Sequence, residues 1–76
     1  ELISIESEKP GFLRRIIGIN TEVKRGDVLA EVIEPTTGEA LSEIVAPTDG
    51  IIFFVQDTPM VFRNSVVYTM INRLHI

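Results

Sequence analysis

Hydrophobic and polar positions alternate in this chain at the short period of strands, and turn residues interrupt them at close intervals. Apolar, β-branched and aromatic residues dominate Leu2–Ser7, Gly11–Ile17, Val28–Ile33, Glu39–Val45, Ile51–Gln56 and Val66–Ile71. Between them stand Pro10-Gly11, Asn20-Thr21, Arg25-Gly26-Asp27, Pro35-Thr36-Thr37-Gly38, Pro47-Thr48-Asp49-Gly50, Asp57-Thr58-Pro59 and Arg63-Asn64-Ser65, all rich in turn-forming residues. Runs this short do not hold as helices without strong caps, and their Ile, Val and Phe content favours strands. The expected fold class is all-β. Along one run, Val28, Ala30 and Val32 share a face while Glu31 takes the other. Along another, Leu41, Glu43 and Val45 oppose Ser42 and Ile44. The expected core is Val23, Val28, Ile44, Ile51, Val61, Val66 and Ile71.

An internal repeat organises these strands. The stretch from Val23 to Ile33 aligns without gaps on the stretch from Val61 to Ile71, 38 positions further on (61 minus 23). Each copy reads as a valine, a basic turn, then a strand ending in isoleucine. Pro10-Gly11-Phe12-Leu13 precedes the first copy, and Pro47-Thr48-Asp49-Gly50-Ile51-Ile52 precedes the second. Two strand–turn–strand units predict a flattened barrel of two halves about a pseudo-two-fold axis. Between the halves, Pro35-Thr36-Thr37-Gly38 predicts a hairpin tip, with proline fixing φ early and glycine supplying a positive φ late.

Composition narrows the function. The 76 residues predict one domain over 1–76, and 11 acidic against 7 basic residues give a net charge of -4. That sign opposes phosphate binding, so nucleic acid is not an expected partner. The absence of cysteine removes disulfides, thiol nucleophiles and cysteine-held zinc. The longest apolar run, Ile51–Val55, falls far short of the roughly 20 residues a spanning helix needs, so no membrane partner is expected. The start at Glu1 shows neither a methionine nor a secretory signal, and the chain reads as a piece of something longer.

Candidate chemistry is sparse. His75 is the lone histidine, whereas a catalytic zinc needs about three protein ligands. Glu31, Glu34, Glu39 and Glu43 flank the central hairpin and read as solubilising strand residues rather than an acid–base pair. Asp27, Asp49 and Asp57 read as turn aspartates bonding their own backbone. Ser4, Ser7, Ser42 and Ser65 lack a nucleophile-elbow context, and Gly26 and Gly50 form no phosphate-binding loop. Arg14 and Arg15 are adjacent on a strand, so they point apart and do not form one anion clamp. No catalytic, cofactor-binding or metal-ligating residue is expected in this chain.

Two resemblances follow. The string Val23-Lys24-Arg25-Gly26-Asp27-Val28-Leu29, a hairpin, then Ile44-Val45-Ala46-Pro47-Thr48-Asp49-Gly50-Ile51-Ile52 resembles the barrel-sandwich hybrid fold of biotinyl and lipoyl domains. Those carriers hold their cofactor on a lysine at the hairpin tip, but Lys9 and Lys24 both lie elsewhere. With Gly11-Phe12-Leu13-Arg14, Glu22 before the first string, and Thr58-Pro59-Met60-Val61 added, nearly the whole chain resembles the C-terminal β domain of the succinylglutamate desuccinylase/aspartoacylase family. Asn64-Ser65 departs from it, standing where the family has a glycine turn. That family consists of zinc-dependent deacylases. The resemblance implies a partner in an N-terminal catalytic domain that holds the zinc and the catalytic glutamate, possible homo-oligomer contacts and a cytoplasmic setting. It carries no catalytic residue onto this chain, which contains no His-x-x-Glu. The alternatives are a biotinyl- or lipoyl-type carrier and a hybrid-motif segment of a transport adaptor.

Overall fold

The computed structural model describes residues 2–72. Eight strands lie among them: β1 (Leu2–Glu6), β2 (Gly11–Arg15), β3 (Glu22–Val23), β4 (Val28–Ile33), β5 (Ala40–Val45), β6 (Gly50–Val55), β7 (Met60–Val61) and β8 (Val66–Asn72). None of the described residues is helical. The strands form two four-stranded antiparallel sheets, ordered β1-β8-β6-β3 and β5-β4-β2-β7. The architecture is the all-β sandwich-like barrel that the repeat predicts.

The repeat is also the symmetry of the fold. Strands β2, β3 and β4 correspond in order to β6, β7 and β8, and β5 corresponds to β1, so the two sheets share one strand order. The halves exchange their short strands, since β3 pairs with β6 and β7 pairs with β2. Neither sheet is complete without both halves.

Turn chemistry enforces this. Asn64 has a φ of 70° where its counterpart Gly26 has 91°. Asparagine thus takes the left-handed backbone that the departure from glycine required. The N–H of Lys24 donates to Asp27 Oδ2 at 2.9 Å, and the N–H of Phe62 donates to Ser65 Oγ at 3.0 Å. In both turns the backbone closes identically, from Asp27 N–H to Lys24 O and from Ser65 N–H to Phe62 O, each 3.0 Å. The left-handed residue then donates to the neighbouring half, Gly26 to Ala46 O at 2.9 Å and Asn64 to Ser7 O at 2.8 Å.

The core departs in part from the expected one. Val23, Ile44 and Val61 are buried as expected, alongside Leu29, Ala30, Val32, Ala46, Ile52, Val67, Tyr68 and Met70. Val28 and Val66 are only half-buried, and Ile51 and Ile71 are exposed. The reason is a bulge in each half. Val28 pairs with Val45 and Ala30 with Ile44, leaving Leu29 as an extra residue turned inward. Val66 pairs with Glu6 and Tyr68 with Ile5, leaving Val67 in the equivalent place. One inserted residue shifts the alternation by one, so consecutive side chains share the inner face. On β6, Ile52 faces in and Ile51 therefore faces out.

Candidate functional site

The hairpin tip between β4 and β5 is built to close on itself. Gly38, with a φ of 76°, donates to Glu34 O at 2.8 Å, and Glu34 N–H donates to Glu39 O at 2.8 Å. The Glu34 carboxylate accepts the Thr36 N–H at 3.0 Å and its hydroxyl at 2.7 Å. Those two bonds hold the Glu34 carboxyl below its ordinary value. Glu39 N–H reaches the Thr37 hydroxyl oxygen at 3.3 Å. Both threonine side chains serve the turn. Lys24 lies in the turn between β3 and β4, and Lys9 lies in the β1–β2 connection, so neither amine is at the tip.

The acidic residues are spread over separate structural tasks. Glu31 faces Arg14 at 3.6 Å, and Asp27 and Asp49 accept the backbone N–H groups of Lys24 and Arg25, each at 2.9 Å. Asp49 and Asp57 differ from their sequence reading: the Asp49 carboxylate serves the β3–β4 turn through Arg25 and not its own turn, and the Asp57 carboxylate faces Arg15 at 3.7 Å. Among the described residues, no three side chains of the metal-ligating types converge. These residues do not fit a zinc ion, which needs about three fixed ligands. His75 lies outside the described residues.

Arg14 and Arg15 point apart, as adjacent strand residues must. Arg14 meets Glu31, whereas Arg15 reaches the barrel end and donates to Gln56 O at 2.9 Å. There a shallow groove of about 490 Å³ opens between the β2–β3 connection and β6, lined by Ile16, Ile17, Ile19, Phe54 and Val55 with Arg15 and Asp57 at its rim. Buried Tyr68 fastens this segment from below, its hydroxyl 2.9 Å from Ile17 O and 2.8 Å from Leu29 O. Burial pushes the Tyr68 phenol above its ordinary value, and the charge of Arg15 partly opposes this. The pattern reading missed the groove because Ile16 and Ile17 look like a continuation of β2. The signal was Gly18, which breaks the run before Ile19.

No family model and no curated protein matches this chain. Solved structures do match. The urea carboxylase of Kluyveromyces lactis shares the fold over 93% of this chain and 6% of its own, at 19% identity and a TM-score of 0.73. A succinylglutamate desuccinylase from a Silicibacter species matches over 84% of this chain and 20% of its own, at 28% identity and a TM-score of 0.76. An aspartoacylase family protein from Mesorhizobium loti matches over 96% of this chain and 24% of its own, at 20% identity and a TM-score of 0.83. The fold of this chain is that of a domain found in succinylglutamate desuccinylase/aspartoacylase family structures, of which it spans between a fifth and a quarter.

Proposed function

We propose that this chain is the non-catalytic β domain of a zinc-dependent deacylase that hydrolyses N-acyl amino acids. The observation that carries the reading is the fold match over nearly the whole chain, set against its small share of the deacylases' length. Zinc hydrolysis needs a metal-bound hydroxide, a polarised acyl carbonyl and a proton-shuttling carboxylate. All three belong to a catalytic domain elsewhere in the same cytoplasmic polypeptide. This domain packs beside the cleft, where it shapes substrate access or supports contacts between subunits.

A carrier reading has the carboxylase fold match in its favour. A swinging arm needs an exposed amine at the tip, and the tip threonines are instead bound into the turn. An adaptor of the transport type splits this barrel with a long helical hairpin, and here a short turn joins Glu34 to Glu39. Alone, the chain should bind zinc no better than a generic acidic protein and gain no mass from a biotin or lipoate ligase. Sub-micromolar zinc binding in a calorimetric titration, or a mass gain on Lys9 or Lys24, overturns the proposal.

A further inference from the structure

The pseudo-symmetry allows the two outer faces to be compared position by position. On the first sheet, Leu2, Ile71 and Ile51 are successive cross-strand neighbours, and Ser4, Thr69 and Phe54 form the next row. The equivalent rows of the second sheet are Ala40, Ile33 and Phe12, then Glu43, Glu31 and Arg14. One face carries the Arg14–Glu31 ion pair at its centre, while the other carries Phe54 and Thr69 at the matching positions. A bulge on β6 adds Phe53 to the apolar side, between Ile52 and Phe54. The first sheet therefore exposes Leu2, Ile51, Phe53, Phe54 and Ile71 together. Phe54 also lines the groove, so the apolar surface continues over the barrel end to Ile16 and Ile19.

An apolar face of this kind in a charged small domain marks a contact surface. We infer that the outer face of the β1-β8-β6-β3 sheet is where the remaining domain of the same polypeptide packs, an inference that rests on the deacylase reading. Charge and tethering decide between that occupant and a second copy, since an apolar patch of about 500 Å² suits either. Two copies at a net charge of -4 repel each other. A covalently linked domain needs less area, because the tether supplies a high effective concentration. Such a domain is at hand in that reading, since the matched deacylase structures are four to five times longer than the part matched here.

The cysteine-free sequence permits a direct test. Ile51→Cys and Phe12→Cys place a thiol at symmetry-equivalent positions that are 43% and 44% exposed, so neither disturbs the core. Maleimide labelling of each, followed by peptide mass spectrometry, is compared between the 76-residue chain and the longer polypeptide, whose deacylation of N-acyl amino acids is assayed in parallel. Position 51 should label about tenfold more slowly in the longer polypeptide, a docking free energy of about 1.4 kcal/mol, while position 12 keeps its rate. Equal rates at position 51 in an active deacylase overturn the docking face and leave the functional reading standing. Protection at position 51 without deacylation keeps a linked domain on this face and removes the deacylase. Concentration-dependent protection in the 76-residue chain assigns the face to a second copy and overturns the inference.

Discussion

Gly50 lies where β6 passes so close to β8 that a methyl group would overlap the Ile71 carbonyl oxygen and come within 2.8 Å of Met70 Cε. Its counterpart Gly11 faces Ile33 O at 2.7 Å and Val32 Cγ1 at 2.8 Å. Backbone does not yield as a flexible side chain does, so Gly50→Ala should cost more than about 2 kcal/mol, whereas Gly18→Ala, with nothing within 4 Å, should stay within about 0.5 kcal/mol. Urea denaturation of both variants checks the pair. Asn64→Ala, which keeps the turn's backbone bonds but loses asparagine's tolerance of positive φ, should cost about 1–2 kcal/mol. Tyr68 sets an alkaline limit. Its phenol is raised in the fold, so its contribution is complete below the unfolded value of about 10 and declines as pH climbs through the folded one. Tyr68→Phe should be less stable at neutral pH and should flatten that decline, as read from urea midpoints between neutral and alkaline pH.

Among the elements, the turns and the repeat were legible because each is local. Gly26 and Asn64, Asp27 and Ser65, and the Pro35–Gly38 tip announce their backbone in a few residues. The phase of β4 and β8 was not legible, because a bulge arises from pairing between distant strands. Strict alternation put Val28 and Val66 inside, yet Leu29 and Val67 fill the core. Leu29→Ala should therefore cost about 2–5 kcal/mol and Val28→Ala clearly less; a reversed order in chemical denaturation would return the inward face to simple alternation. Ile44→Ala belongs with the costly group, and Ile51→Ala, at an exposed position and not in the core as the sequence suggests, with the tolerated one. Two-residue strands such as β3 and β7 have no period to read. The same physics hid the apolar face, since exposed Ile51, Phe53 and Ile71 follow from which side of β6 and β8 turns outward.

At the scale of the whole molecule, symmetry and function part ways. The fold repeats one unit twice, and each half completes the other's sheet through β3 and β7. Cutting the chain between the halves should therefore leave neither half folded, as circular dichroism of the separated halves would show. The surface breaks this symmetry, with the Arg14–Glu31 ion pair on one face where the other carries Phe54 and Thr69. In the proposed reading, such a domain contributes shape and a contact surface to the deacylase. The most direct measurement is deacylation of N-acyl amino acids by the longer polypeptide, by that polypeptide without residues 1–76, and by the 76-residue chain alone. The expected result is zinc-dependent activity in the longer polypeptide, altered KM, kcat or assembly without the β domain, and none in the isolated chain. A longer polypeptide with no deacylase activity, or turnover by these 76 residues alone, would contradict the account.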